Sequence, residues 1–348
     1  MANKKFVSVD PGKGDTKVSV FDVDKKKIST YIYNTKYSEG DFCDDALESN
    51  TFIAEIEGNT FKVGNGALQS AALEVTKMSD IHRFSTLLAL AMVTEPGKTE
   101  ELDVVLGCPL SEYSVPKKRK EYMDYMLPDG EVSVKLKTKS DKEPEIRKFK
   151  ISSKKVLPET SGIFFMELES YDGDSVGIID IGNGTAIGAI YSDYEIDHAY
   201  DFTSLQGGGI LVSSLSELLT ATYSRYNAKY TLKLLTKPTK ERKLPLGDSQ
   251  KETESSKLIH DHIIKHLQEI KQSCNAKQWS LEFMPIIFGG GTSLMLKEEI
   301  VEVFGKNTRF SKHGVHANSL GFLRRLVQQK LGIDCISVAE KEKEEKTA

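Results

Sequence analysis

Two short stretches of this 348-residue chain combine acids and glycines in the same order. Asp10-Pro11-Gly12-Lys13-Gly14 closes the apolar run Phe6-Val7-Ser8-Val9, and Asp180-Ile181-Gly182-Asn183-Gly184 closes Val176-Gly177-Ile178-Ile179. They align without a gap at a constant offset of 170 residues, and each reads Asp-x-Gly-x-Gly. Thr16 follows the first and Thr185 the second, and in each case a second strand returns. Glycine lets backbone N–H groups approach an anion closely, and consecutive N–H groups in a tight turn form a phosphate nest. The aspartates repel phosphate, so their chemistry is to hold Mg²⁺ through water while the ion bridges phosphate oxygens. Lys17, which has no counterpart in the second copy, brings a positive charge to the phosphates. One such turn alone reads as a hairpin. Its repetition in matched context predicts two lobes built on one plan, facing each other across a cleft.

Two glycine triplets extend the pattern. Gly289-Gly290-Gly291 ends the apolar run Phe283–Phe288 and precedes a helix predicted from Ser293 or Leu294. Such a turn packs flat against a nucleoside or receives a phosphate at the helix N-terminus. Gly207-Gly208-Gly209 offers the same geometry before an amphipathic stretch marked by Leu211, Leu215, Leu218, Leu219 and Tyr223. Neither G-x-x-x-x-G-K-[ST] nor a G-x-G-x-x-G between strand and helix occurs, which sets aside the P-loop and the Rossmann fingerprint.

Strands and helices must alternate to position these turns. Phe6–Val9, Lys17–Phe21, Val104–Leu106, Val176–Ile181 and Phe283–Phe288 read as strands. Val132, Val134 and Leu136 alternate with lysines, as in a strand whose wet face discourages stray pairing. Apolar residues fall at helical spacing over 70–93 (Leu73, Ile81, Phe84, Leu87, Leu88, Ala91), at Ile259, Ile263, Leu267 and Ile270, and from Leu320 to Leu331. Residues 236–256 are polar and read as a loop or subdomain surface, while Glu340–Lys346 alternates charge like a frayed tail. The interspersed order predicts an α/β protein.

Composition narrows the class. Forty-seven Lys+Arg against 51 Asp+Glu give a net charge of −4, which argues against a chain that coats nucleic acid. The apolar stretch Leu87–Val93 is far short of the roughly 20 residues that span a bilayer. Asp10 interrupts the first apolar run, so no secretory leader is expected. Cys43, Cys108, Cys274 and Cys335 lack C-x-x-C spacing, as reduced cytosolic thiols do. Cys108 reads as a buried strand end rather than a nucleophile. Lys117-Lys118-Arg119-Lys120 reads as a solvated helix face. His262 and His266 have metal-ligand spacing without a third ligand nearby, so a solvated helix flank is the expectation.

On these residues the sequence resembles the actin, Hsp70 and sugar-kinase superfamily. The resemblance implies an actin-like fold, a duplicated ribonuclease H-like α/β plan with nucleotide in the interlobe cleft. The parts follow in order: phosphate turns at 10–17 and 180–185, a connecting segment near 156–162, an adenosine turn at 289–291, and a closing helix entered at Asn318–Gly321. Within the superfamily the chain is most similar to bacterial plasmid-segregation actins of the ParM (StbA) type. The residues that carry this are Leu102–Tyr113 (LDVVLGCPLSEY), Val156-Leu157-Pro158-Glu159-Thr160, Ile178–Gly182 and Ile286–Gly291. The resemblance implies ATP or ADP with Mg²⁺ as cofactors, and contacts from Asp10, Gly12, Lys13, Gly14, Asp15, Thr16, Lys17, Gly182, Asn183, Gly184, Thr185, Gly208, Gly209, Gly289, Gly290 and Gly291. Asp10 and Asp180 would hold the metal through water, and Glu159 would position the attacking water. Asn183-Gly184 stands where Gly-Thr is usual. The stretch 230–260 departs from the pattern where base contacts should lie, so the choice between ATP and GTP is not read.

The function so implied is an ATPase that assembles with copies of itself, head to tail, into a polar filament. It would act on plasmid DNA through a centromere-binding adaptor protein in the bacterial cytoplasm, with no direct DNA contact and no membrane. A small-molecule kinase of the same superfamily and a structural filament with little turnover are the rival readings. The expected lobes are 1–165 completed by a helix at 320–335, and 166–319, with 338–348 as a disordered tail.

Overall fold

The computed structural model describes residues 4–40, 47–71, 74–171, 175–224 and 226–347, so Cys43 and Leu73 lie outside the described residues. The chain divides into two units, Met1–Leu168 with His316–Ala348, and Glu169–Val315.

The first unit opens with β1 (Lys5–Pro11), β2 (Asp15–Asp22), β3 (Lys27–Asn34), β4 (Lys36–Glu39), β5 (Thr51–Ile56), β6 (Asn59–Gly64) and β7 (Gln69–Ser70). Helix α1 (Asp80–Met92) leads into β8 (Thr99–Cys108), α2 (Leu110–Tyr113) and α3 (Pro116–Met126). Then come β9 (Glu131–Lys137), β10 (Glu145–Pro158) and α4 (Ser161–Met166). The strands form one sheet in the order β3-β2-β1-β8-β10-β9-β5-β6-β4-β7. β1, β8 and β10 run parallel, so their carboxyl ends lie at the same end of the sheet.

The second unit contains β11 (Val176–Ile181), β12 (Ala186–Ser192), β13 (Glu195–Ser204), α5 (Gly208–Tyr223), α6 (Ala228–Leu235) and α7 (Ser249–Ala276). β14 (Ile286–Gly289), α8 (Gly291–Met295), α9 (Lys297–Phe304) and β15 (Thr308–Phe310) complete it, with sheet order β13-β12-β11-β14-β15. The chain then returns to the first unit as α10 (Ala317–Leu331) and α11 (Cys335–Thr347).

The repeat seen in the sequence is a repeat of topology. β3-β2-β1-β8-β10 and β13-β12-β11-β14-β15 share one pattern, two antiparallel pairings followed by two parallel ones. Register repeats too. Asp10 opposes Lys17 and Pro11 opposes Thr16, while Asp180 opposes Ile187 and Ile181 opposes Ala186. The gapless offset therefore sets Thr185 against Asp15, and the two threonines are not equivalent.

β1 is buried along its whole length. Val7 and Val9 pack with Leu87 and Leu88 of α1, while Phe6 packs with Phe322 and Leu326 of α10. Among its buried polar residues, Ser8 is accommodated by its hydroxyl donating to the Ser319 carbonyl on α10. In the second unit, Leu211 of α5, Ile259 and Ile263 of α7 and Ile300 of α9 pack with Ile179 and Phe288 of the sheet.

Three elements differ from expectation. α7 begins at Ser249, well before Ile259, because the Asp248 carboxylate accepts from the Gln250 and Lys251 N–H groups and caps the helix. The strand expected over Phe283–Phe288 shortens to Ile286–Gly289, and Phe283 is 87% exposed in the preceding turn. Residues 335–347 are helical rather than frayed. Cys335 is buried beside Leu326, Ile336 and Val338 join the same cluster, and the Glu-Lys run that follows is a good helix former.

α4 and α10 touch through bare backbone. A Cβ at Gly321 would lie 1.8 Å from the Gly162 carbonyl oxygen, and one at Gly162 would lie 2.2 Å from that of Asn318. Gly321→Ala is expected to lower stability by about 1–3 kcal/mol or more. This should appear as a lower urea midpoint at unchanged slope. An unchanged midpoint would mean that the two helices part without cost.

Candidate functional site

The first glycine turn is closed by the Gly12 N–H, which donates to the Asp15 carbonyl at 3.1 Å and to the Asp10 carbonyl at 3.0 Å. A Cβ at Gly12 would stand 2.7 Å from the Asp15 oxygen, so the turn needs glycine there. Thr35 braces it: its N–H donates to the Gly14 carbonyl at 2.9 Å and its hydroxyl to the Gly12 carbonyl at 2.7 Å. Two of the predicted contacts face this brace. The Thr16 hydroxyl lies 2.9 Å from that of Thr35, and the Asp15 carboxylate accepts from the Asn34 amide at 2.6 Å. Asp10 is only 5% exposed, and its carboxylate sits 3.7 Å from the Lys17 ammonium. His316, which carried no sequence signal, lies in the field of both groups. Burial and then the Lys17 charge lower its pKa, and Asp10 opposes the shift.

The ends of β8 and β10 bring further groups to the same end of the sheet. The Glu159 N–H donates to the Cys108 carbonyl at 2.9 Å, and its 3%-exposed carboxylate forms an ion pair with Lys77. Thr160 follows with φ 77°, a rare backbone state for a β-branched residue. Such outliers cluster at functional sites. The Lys13 ammonium donates to the Glu74 carbonyl at 2.7 Å. Burial and the Lys77 charge lower its pKa, against the raising effects of Glu159 and Glu74. Lys77 has no sequence signal, because it meets Glu159 across 82 residues of chain. Asp10, Gly12, Lys13, Lys17 and Glu159 thus gather at the carboxyl ends of parallel strands, where open α/β sheets bind ligands.

In the second unit the Gly182 N–H donates to the Thr185 carbonyl at 2.9 Å, repeating the bond of the first turn. The brace here is the start of α5: Gly208 N–H donates to the Gly182 carbonyl at 2.8 Å and Gly209 N–H to that of Asn183 at 2.7 Å. These two N–H groups hold the turn, a structural use that the sequence did not announce. The Thr292 hydroxyl donates to the Gly182 carbonyl at 3.1 Å from the start of α8. Gly290, at φ 85°, backs directly onto Asp180, whose carboxylate oxygen would be 2.3 Å from any Cβ there. Gly289 pairs with Asp180 across the sheet.

Asp10 and Asp180 offer hard oxygen donors at strand ends, the donor type that Mg²⁺ takes together with water and phosphate. Among the described residues no group of three His, Cys, Asp or Glu could hold a metal by itself. His262 instead shares a 2.8 Å hydrogen bond with the Ser214 hydroxyl, and His266 is buried. Cys108 is also buried, and burial raises its thiol pKa far from the reactive range. Lys120 of the basic run pairs with Asp124 on an exposed helix face.

Burial and the Lys77 and Lys13 charges push the His82 imidazole down to about 3, and burial brings His266 to about 4. Both values lie below the ordinary imidazole value, so the folded chain binds fewer protons than the unfolded one. Stability is therefore full above pH 6.5 and falls as pH drops toward 4, by up to about 1.4 kcal/mol per pH unit for each histidine. Urea midpoints of wild type, His82→Gln and His266→Gln between pH 7 and pH 4.5 should show flatter profiles in the variants. Parallel profiles would contradict the assignment.

Residues 8–162 match the family model described as the actin-like proteins N-terminal domain. No curated protein matches the chain. Among solved structures it is similar to an Alp12 filament, with 20% identity, TM-score 0.67, and coverage of 94% of this chain and 100% of that one. A 15-stranded ParM filament from Clostridium botulinum gives 17% identity, TM-score 0.69, and coverage of 94% and 99%. The archaeal actin homolog Ta0583 in complex with ADP gives 18%, 0.67, 91% and 97%. The fold is actin-like, as the paired sheets and their glycine turns indicate.

Proposed function

We propose that this actin-like chain is a Mg-nucleotide-dependent ATPase that assembles head to tail into a polar filament. The observation that carries the reading is the duplicated turn, with the same register and the same closing hydrogen bond at the ends of β1 and β11. The similarity to an ADP complex and to two filaments supports it. Head-to-tail contacts that do not close into a ring generate a helical filament. By the ParM resemblance, such a filament acts on plasmid DNA through an adaptor in the bacterial cytoplasm. None of the described helices is long and apolar enough to cross a membrane.

The residues divide the work by chemistry. Turn N–H groups and Lys17 would receive the phosphates, and Asp10 and Asp180 would hold Mg²⁺, which would supply charge neutralisation at the phosphate oxygens. Glu159 orients a water whose oxygen bonds to the terminal phosphorus as the bond to the bridging oxygen breaks. ADP leaves with that electron pair, and the proton of the water passes to Glu159 and then to solvent.

Asp10→Ala and Asp180→Ala should each weaken Mg-nucleotide binding, by roughly 10–100-fold as for groups that orient a metal's ligands. Lys17→Ala should cost more affinity than Lys13→Ala, whose ammonium is already held by the Glu74 carbonyl. Wild-type binding in both aspartate variants would remove the phosphate-turn reading.

Glu159→Ala should bind nucleotide and pellet as filaments, while phosphate release falls by about 10²–10⁴-fold. Its filaments should outlast those of the wild type. Normal turnover in well-formed filaments would exclude Glu159 from the mechanism.

A further inference from the structure

The Lys77–Glu159 ion pair bears directly on the proposed role of Glu159. Both side chains are nearly buried. A carboxylate paired with an ammonium is a poor acceptor for a water proton, since protonating it would leave the cation without its partner. Lys77 also has a like charge nearby in Lys13, and its own charge lowers the pKa of both Lys13 and His82.

The segment that carries Lys77 is tied to the first glycine turn by a chain of hydrogen bonds. Thr35 binds the Gly12 and Gly14 carbonyls, the Ala71 N–H donates to the Thr35 carbonyl at 3.0 Å, and the Glu74 N–H donates to the Ala71 carbonyl at 3.0 Å. The Glu74 carbonyl in turn receives Lys13, which belongs to the turn itself. Lys77 therefore rides on a strap whose other end is the phosphate turn.

Charge sets the direction of the exchange. Lys13, Lys17 and Lys77 stand in this cluster with Asp10 and Glu159, and the Glu74 carboxylate also lies in the field of Lys13. A terminal phosphate carries about two negative charges, so it draws an ammonium more strongly than one carboxylate does. We propose that Lys77 senses the terminal phosphate: it holds Glu159 when that phosphate is absent and turns to it when a triphosphate binds, which frees Glu159 for the attacking water. Lys77 is then a positioning residue that ties the availability of the base to the nucleotide state. This inference rests on the proposed roles of the first turn and Glu159.

The test is a pair of titrations, with Mg-ADP and with a Mg-bound non-hydrolysable ATP analogue, on wild type, Lys77→Gln and Lys77→Arg. Lys77→Gln should lose affinity for the triphosphate on the order of tenfold, the worth of one hydrogen bond to a charged group, while ADP affinity stays the same. Lys77→Arg should keep the wild-type preference. Removing one partner of a buried ion pair can cost the fold, so Lys77→Gln combined with Glu159→Gln, which leaves no orphan charge, should show the same lost preference. A merely structural Lys77 would lower both affinities together or neither, and either result overturns the proposal. A wild-type protein that binds neither nucleotide would remove the functional reading beneath it as well.

Discussion

One backbone hydrogen bond, from a glycine N–H to the carbonyl three residues on, governs this structure twice. It folds β1 back into β2 at Gly12 and Asp15, and β11 back into β12 at Gly182 and Thr185. Because the bond fixes register, it fixes which residue stands at the strand end. That residue is an aspartate in both units, with glycines beside it. The braces behind the two turns differ. Thr35 supplies side-chain and backbone bonds in the first unit, whereas the first N–H groups of α5 do so in the second. The turn is the same in both units while its support differs.

The first unit has built charge onto that frame. Three parallel strands end together, and at their ends stand Asp10, Cys108 and Glu159. Each carboxylate has its own lysine, Lys17 for Asp10 and Lys77 for Glu159. The backbone conformation of Thr160 and the close contact between Gly162 and Gly321 fix the chain immediately after Glu159. Order of this kind would suit the water-positioning role proposed for Glu159.

Local and repeated features were legible in the sequence. The Asp-x-Gly-x-Gly pair, its constant offset and the alternating burial of β9 follow from chemistry along a few residues. Contacts across the chain were not. Nothing near Lys77 points to Glu159, and the field on His316 comes from Lys17 and Asp10, far away in sequence. The threonines after the two turns misled by likeness of type, because only pairing shows that Thr185 matches Asp15. The helical C-terminus was hidden for another reason. Charge alternation reports exposure, while the anchor that orders α11 is the small apolar group around Cys335.

The central proposal is that the duplicated turns serve the binding of Mg-nucleotide, and a binding titration tests it most directly. Calorimetric titration of the full chain with Mg-ADP should give one nucleotide per chain, with affinity that collapses when the metal is chelated. Two equivalents per chain, or binding indifferent to the metal, would contradict the account.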